Sequence, residues 1–237
     1  MQRIQIVSRP SESQPYAVIY KPAGMPSVPL APGDTDNACY HAIRHYPELA
    51  SVAGHYKSFE HGILHRLDTI TEGLLLIAAT QPAYESLRAA QAAGEFIKEY
   101  DAVCVPAEER MDGFPAFAGT RDRITSRFRA YGRGGAAVRP VTDGASAHVR
   151  KKCCGKEYTT HITWQKPLEN GLIHAHCAIS MGFRHQVRCH LAWAGLPIAA
   201  DPLYCPEGAR KGLAFSFRAS ALRFPHPLTG EIVHIKA

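Results

Sequence analysis

The 237-residue sequence has no run of about 18 apolar residues, so no membrane-spanning helix is expected. Its first ten residues, MQRIQIVSRP, hold no apolar core of the kind a secretory leader needs. Seven cysteines are present, an odd number, with no C-x-x-C pair and no disulfide-like spacing. A disulfide scaffold, a zinc ribbon and a thioredoxin-like motif are therefore all unsupported, and a reducing, cytoplasmic setting is the default expectation. The glycine-rich Gly132-Arg133-Gly134-Gly135 lacks the lysine of a phosphate-binding loop and the apolar strand before it. There is no nucleophile elbow, and the order His65-Arg66-Leu67-Asp68 is not the kinase order H-R-D. His174, His176 and Cys177 offer metal-ligand types, but on a strand Cys177 points away from the two histidines and no second ligand pair follows, so no metal is expected.

Acidic charge is scarce in one part of the chain. The whole sequence carries +6, yet between Arg110 and Lys156 eleven Lys and Arg face three Asp, which puts that stretch at +8 and the remainder at −2. A basic block on a near-neutral body is the footprint of a polyanion-binding surface; a solvated, mobile insert is the alternative that charge alone leaves open.

Local patterns give a mixed α/β (α+β) reading. Tyr16 to Tyr20 (YAVIY) is β-branched and aromatic and reads as a strand, stopped by Lys21-Pro22-Ala23-Gly24. A proline-rich loop covers residues 25 to 37, and a short helix is expected around Ala38 to Ala50. The apolar run Leu74 to Ala79 has the length of a buried strand, with helix as the alternative. Thr80 caps an expected helix from Pro82 to about Ala93, with Gly94 just past its end. Phe96 to Val105 reads as a strand that puts Lys98 and Tyr100 on one face. The basic stretch from 110 to 156 shows little periodicity and is left as an insert. Leu172 to Ser180 alternates like a strand, Arg184 to Ala194 reads as a helix closed by Gly195, and Ala214 to Ile235 suggests two short strands around a turn. No internal repeat and no sharp composition shift appears, so residues 1–237 are expected to form a single domain with a basic insert around 110–156. Only about 15 residues precede the first expected strand.

The strongest chemical signal is His65-Arg66-Leu67-Asp68-Thr69-Ile70-Thr71-Glu72-Gly73-Leu74. It places a carboxylate on a polar turn just before an apolar strand, where it could serve as nucleophile or base or simply form a surface ion pair. The segment resembles the signature H-R-L-D-x-x-T-S-G-L of the RluA-type pseudouridine synthases. Four more elements match in the family's order. Tyr20 to Pro26 is similar to its K-P-x-G element, Lys98-Glu99-Tyr100 to K-x-Y, His185-Gln186-Val187-Arg188-Cys189-His190 to H-Q-I-R-x-H, and Gly195 to Tyr204 to G-x-P-I-x-G-D-x-x-Y.

The resemblance implies a pseudouridine synthase fold, with a large, mostly antiparallel mixed sheet flanked by helices and loops. It implies a monomer that isomerises specific uridines in ribosomal or transfer RNA, without cofactor or metal. Asp68 matches the catalytic aspartate, Tyr100 the tyrosine that stacks on the target base, and Arg188 the arginine that pairs with the aspartate. Arg66 matches the basic residue that enters the RNA stack the target nucleotide vacates. His65, His185 and Gln186, in the same motifs, are expected at the RNA-contacting surface. The small N-terminal RNA-binding domain of many relatives is not expected, and the basic insert is expected to compensate for it.

The reaction makes sense of these residue types. The C1′–N1 bond breaks, the uracil turns, and C1′ bonds to C5. There is no net redox change, so no nicotinamide or flavin is required. Asp68 either attacks covalently or takes a sugar proton; both roles need it ionised, which a nearby arginine favours. Tyr100 offers a flat ring for a detached uracil. Three departures from the family pattern stand out: Glu72 replaces a serine, Phe183 occupies the arginine position of T-G-R-T, and Ala200 replaces a glycine. The competing reading is a catalytically silent RNA-binding protein on the same scaffold.

Overall fold

The computed structural model describes residues 3–55, 57–107, 109–117, 119–207 and 212–237. Among these the chain forms ten β-strands and four α-helices, the mixed α/β class expected from the sequence. It divides into two compact units, Met1–Glu99 with Arg218–Ala237, and Tyr100–Phe217.

The first unit is built on β1 (Gln5–Ser8), β2 (Tyr16–Lys21), β3 (Glu72–Ala78), β9 (Phe217–Pro225) and β10 (Ile232–Lys236). β1 pairs with β2, β2 with β3, and β9 with β10, all antiparallel; β3 and β9 run parallel. β1 lies ahead of the strand that sequence pattern takes as the first, because its four residues are too few to show alternation. One face of these strands packs Val18, Leu74, Leu76, Leu222 and Phe224 against Ala83, Tyr84 and Leu87 of helix α2 (Gln81–Ala93). α2 begins and ends where its sequence signals put it: the Thr80 hydroxyl accepts from the Ala83 N–H and Gly94 closes the last turn. Helix α1 (Ala38–His45) is capped by Asn37, whose side chain accepts from the Tyr40 N–H, and a 3₁₀ turn over Pro47–Ser51 ends the short helical region.

Gly73 decides how close β9 can come. Its φ is +123° and an added Cβ would stand 2.3 Å from the Ala219 carbonyl oxygen. Only glycine allows that approach, so the motif glycine two residues past Thr71 docks β9 beside the loop carrying Asp68.

The second unit contains most of β4 (Ile97–Cys104), then β5 (Arg123–Tyr131), β6 (Ala137–Val141), β7 (Tyr158–Pro167) and β8 (Ile173–Ile179), hydrogen-bonded in the order β4-β8-β7-β5-β6. Burial alternates strictly along β4, with Lys98 and Tyr100 both inward, as alternation requires. The basic stretch holds β5, β6 and the short helix α3 (Ala147–Lys151), and β5 is paired on both edges, with β7 and with β6. β5 alternates the exposed Arg123 and Thr125 and the half-buried Arg127 and Arg129 with Ile124, Ser126 and Phe128, which are buried. The charge that makes the segment look unstructured therefore sits on one face of a strand. Helix α4 (Gln186–Trp193) packs on β6 and β7 with nearly every side chain buried.

No helix among the described residues is long and apolar enough to cross a membrane, and no group of three or more His, Cys, Asp or Glu among them could hold a metal ion.

Candidate active site

In the first unit, Asp68 sits on a turn whose backbone is held from several sides. The Thr71 N–H donates to the Asp68 carbonyl at 3.0 Å, and the Gly24 N–H donates to the Thr69 carbonyl at 2.7 Å. Ser27 Oγ donates to the Leu67 carbonyl at 2.8 Å and accepts from the Leu67 N–H at 2.9 Å. Lys21 is fully buried at the end of β2 and its ammonium donates to the carbonyls of Pro22 (2.9 Å), Met25 (2.8 Å) and Thr69 (3.3 Å). One lysine thus ties the K-P-x-G turn to the loop of Asp68. Burial pulls Lys21 down to about 8, while the carboxylates of Asp68 and Glu72 act to raise it.

Glu72 does not stand as an isolated extra charge beside Asp68. Its carboxylate accepts from the Tyr20 hydroxyl, and Arg218, opposite Glu72 in the β3–β9 register, shares the same hydroxyl. Burial first, then the Glu72 charge, raises Tyr20 above its ordinary value. Arg66 is exposed and pairs with the buried Glu60 at 3.3 Å, which leaves its guanidinium at the surface. His65 turns inward: its Nε2 accepts from the Leu76 N–H at 3.4 Å, so the proton sits on Nδ1, which is shielded and has no hydrogen-bond partner among the described residues. Burial and the nearby Lys98 hold His65 well below the usual histidine range, and burial lowers Lys98 itself to about 8.

In the second unit, Tyr100 and Arg188 belong to one chain of contacts. The Tyr100 ring stacks on Phe217 at 5.1 Å and 15°, Phe217 meets Phe215 edge-on at 6.4 Å, and the Arg188 guanidinium lies 5.9 Å from the Phe215 ring. Arg188 is locked by Asp201 through two parallel bonds, Nε to Oδ2 at 2.7 Å and a terminal nitrogen to Oδ1 at 2.9 Å, with both residues buried. Asp201 also accepts the N–H groups of Leu203 and Tyr204. The two-point fork fixes the guanidinium plane, which a lysine could not do.

His185 and Gln186 flank this arrangement. His185 is the left-handed residue (φ 56°) that opens α4, and its Nδ1 lies 3.3 Å from the Tyr204 hydroxyl. Gln186 is buried; its amide donates to the Thr159 carbonyl and to Thr160 Oγ1, and accepts from the Phe183 N–H. Both ends of the side chain are spent inside the protein, so Gln186 influences any RNA contact through the loop it holds.

The departures now have physical readings. Phe183 lies parallel to Phe128 at 5.0 Å and 4°, and tilted against Tyr158 at 5.1 Å: the position is used for packing. The next residue, Arg184, hydrogen-bonds the carbonyls of Gly135 and Ala137. Ala200 has φ +54°, the left-handed region where the family pattern has glycine. Its Cβ carries strain there, held by the Asp201 network beside it.

Below this surface His190 is wholly buried, with one ring nitrogen 3.0 Å from Ser126 Oγ, the other 2.9 Å from Thr160 Oγ1, and its ring stacked on Phe128 at 4.9 Å. Burial lowers it to about 3. The folded protein therefore binds no proton here over a range in which an unfolded histidine does. Stability from His190 is fully present above about pH 6.5 and is lost as pH falls toward 3. The expected loss is about 2 kcal/mol between pH 6.5 and 5, with His65 acting in the same direction. Denaturant midpoints measured at pH 7 and pH 5 check it, and His190→Gln should flatten the slope.

A family model described as RNA pseudouridylate synthase matches residues 15–193 of this sequence. The chain belongs to that family. Its relatives include a ribosomal large subunit pseudouridine synthase D from Zymomonas mobilis, 31% identical over 95% of this chain and 67% of that protein. The protein of the same name from Neisseria meningitidis serogroup B is 30% identical over 95% of this chain and 56% of that one. An uncharacterized RNA pseudouridine synthase of Bacillus subtilis is 30% identical over 95% and 67%. The chain thus spans little more than half to two thirds of the length of these relatives. Among solved structures, human RNA pseudouridylate synthase domain containing 1 superposes with a TM-score of 0.64 at 19% identity, covering 99% of this chain and 83% of that one. The corresponding human domain containing 4 gives 0.61 at 17%, covering 98% and 87%. The fold is that of the pseudouridylate synthases, as the ordered motifs imply.

Sequence reasoning missed one residue in each unit that fixes a motif element, Lys21 in the first and Asp201 in the second. Lys21 was visible only as part of a turn motif, and its burial gives it the clamping role. Asp201 had a signal of its own. It sits between Ile198-Ala199-Ala200 and Pro202-Leu203-Tyr204, and a carboxylate in so apolar a run needs a buried cation.

Proposed function

We propose that this chain isomerises specific uridines in ribosomal RNA to pseudouridine, acting as a cytoplasmic monomer. The observation that carries the proposal is the loop of Asp68, a carboxylate in the family's motif position, fixed by Lys21, Gly24 and Ser27 beside a buried cation. The names of the relatives support the choice of ribosomal RNA.

Asp68 acts on the ribose of the target uridine, by attack at C1′ or by removing a sugar proton. The C1′–N1 bond breaks, the uracil is retained and turned, C1′ bonds to C5, and the C5 proton leaves. Tyr100, its plane set by Phe217, holds the base; Arg188, its plane set by Asp201, supports the carboxylate. Arg66 fills the gap left by the flipped nucleotide and offsets part of the few kcal/mol that unstacking costs. The exposed Arg123 of β5 and Arg150 and Lys151 of α3 contact phosphates, which makes binding weaken as salt rises. The isomerisation neither oxidises nor reduces, so it calls for no redox cofactor.

The test is tritium release from RNA labelled at uracil C5, with ribosomal and transfer fractions from a strain lacking the gene assayed apart. Release from the ribosomal fraction is expected. Release from the transfer fraction alone would move the substrate class, and binding without release from either would favour the silent RNA-binding protein.

A further inference from the structure

The outer face of the second unit's sheet carries a cluster that the isomerisation does not use. Strand pairing sets Arg123 opposite His161, Trp164 opposite His176, and Lys166 opposite His174, and directly opposed residues share a face. The register of β7 shifts between Ile162 and Trp164. Without that irregularity, alternation would turn Trp164 to the side of the buried Ile162; with it, the indole joins His161 on the outside. The result is a tryptophan that remains 44% exposed.

The indole is held in place. The His176 ring lies parallel to it at 5.5 Å and 4°, and the His174 ring meets it edge-on at 4.7 Å. Behind them Asp101 Oδ1 takes both imidazoles, His176 Nδ1 at 2.9 Å and His174 Nε2 at 3.4 Å. A single exposed aromatic needs no explanation in itself. An aromatic turned outward by a strand irregularity and braced by two rings on one carboxylate is a different matter. The carboxylates at this face are Asp101, taken up by the two histidines, and Asp122 beside His161, while Arg123 and Lys166 add fixed positive charge at its two ends. A flat ring between cations fits an unpaired nucleobase and its flanking phosphates.

We propose that this face is a second RNA contact site, at which Trp164 stacks on an unpaired base while Arg123 and Lys166 hold the adjoining phosphates. The proposal rests on RNA being the substrate, as argued above.

Fluorescence tests it directly, because the other tryptophan, Trp193, is buried with its Nε1 donating to the Pro115 carbonyl at 3.0 Å. The accessible signal is that of Trp164. A twelve-nucleotide oligouridylate titrated into the Asp68→Ala protein should quench it saturably, and heparin should not. By anisotropy of the labelled oligonucleotide, Trp164→Ala should bind about tenfold more weakly, the size of effect that losing one base–aromatic stack produces. No quenching, equal quenching by heparin, or an unchanged affinity in Trp164→Ala would overturn the proposal. Quenching needs no turnover, so the two readings fail separately. Saturable quenching with no isomerase activity in the wild type sinks only the activity, and isomerase activity without quenching sinks only the outer site.

Discussion

Asp68→Ala is expected to lower tritium release from uracil-labelled RNA by about a thousandfold or more, the range seen when a residue that acts directly on the substrate is removed. RNA affinity should change little, since affinity comes from phosphate contacts. The substitution spares the backbone bonds of the loop. The bonds that hold it run through the carbonyls of Leu67, Asp68 and Thr69 and the N–H groups of Gly24, Leu67 and Thr71, none of which involves the Asp68 carboxylate. Asp68→Asn keeps the shape and removes the charge, and it should fall almost as far. Residual release within tenfold of wild type from either variant would remove Asp68 from the chemistry.

The second large effect is on stability. Asp201→Ala leaves the Arg188 guanidinium buried without its fork partner and strips the acceptor from two backbone N–H groups. Breaking one side of a buried pair costs about 3–5 kcal/mol, whereas replacing both sides with apolar residues of similar volume is often close to neutral. The double variant Arg188→Met with Asp201→Leu should therefore recover the part of the urea midpoint lost to the unpaired guanidinium, while the Leu203 and Tyr204 N–H groups stay without their acceptor. The same double variant separates folding from function: it should be folded and nearly inactive, because the arginine assigned to support Asp68 is gone. A stable double variant with normal tritium release would confine Arg188 to a structural role.

The sequence was most legible where local rules decide. Thr80 and Gly94 frame α2 because capping is a matter of a few neighbouring atoms, and β4 follows from alternation alone. The motif residues Asp68, Tyr100 and Arg188 were legible only together, through the order of five elements. What stayed hidden depends on distant partners. β5 and β6 escaped notice because Arg123, Arg127 and Arg129 dilute the apolar signal of Ile124 and Phe128, and a strand paired on both edges need bury only one face. Phe183 looked like a lost arginine until Phe128, 55 positions earlier in the numbering, appeared beneath it. The inward turn of His65 follows from Leu76 and Phe96 packed around it, which no spacing rule foretells.

The unit that holds Asp68 is assembled from two separated stretches, Met1–Glu99 and Arg218–Ala237, and β9 docks beside the Asp68 loop at Gly73. During translation the loop and its clamp are made first, and then wait while residues 100–217 emerge. Roughly 120 residues at about 5–20 residues per second is a delay on the order of 10 s. Through that interval Glu72 and Gly73 wait for their β9 partners, while the rest of β3 is already paired with β2 and with residues 62–64. The intervening unit, continuous in sequence, can fold meanwhile. The β9 side of the Asp68 loop is therefore completed late in synthesis, and that gap marks the stage at which a holding chaperone would matter most.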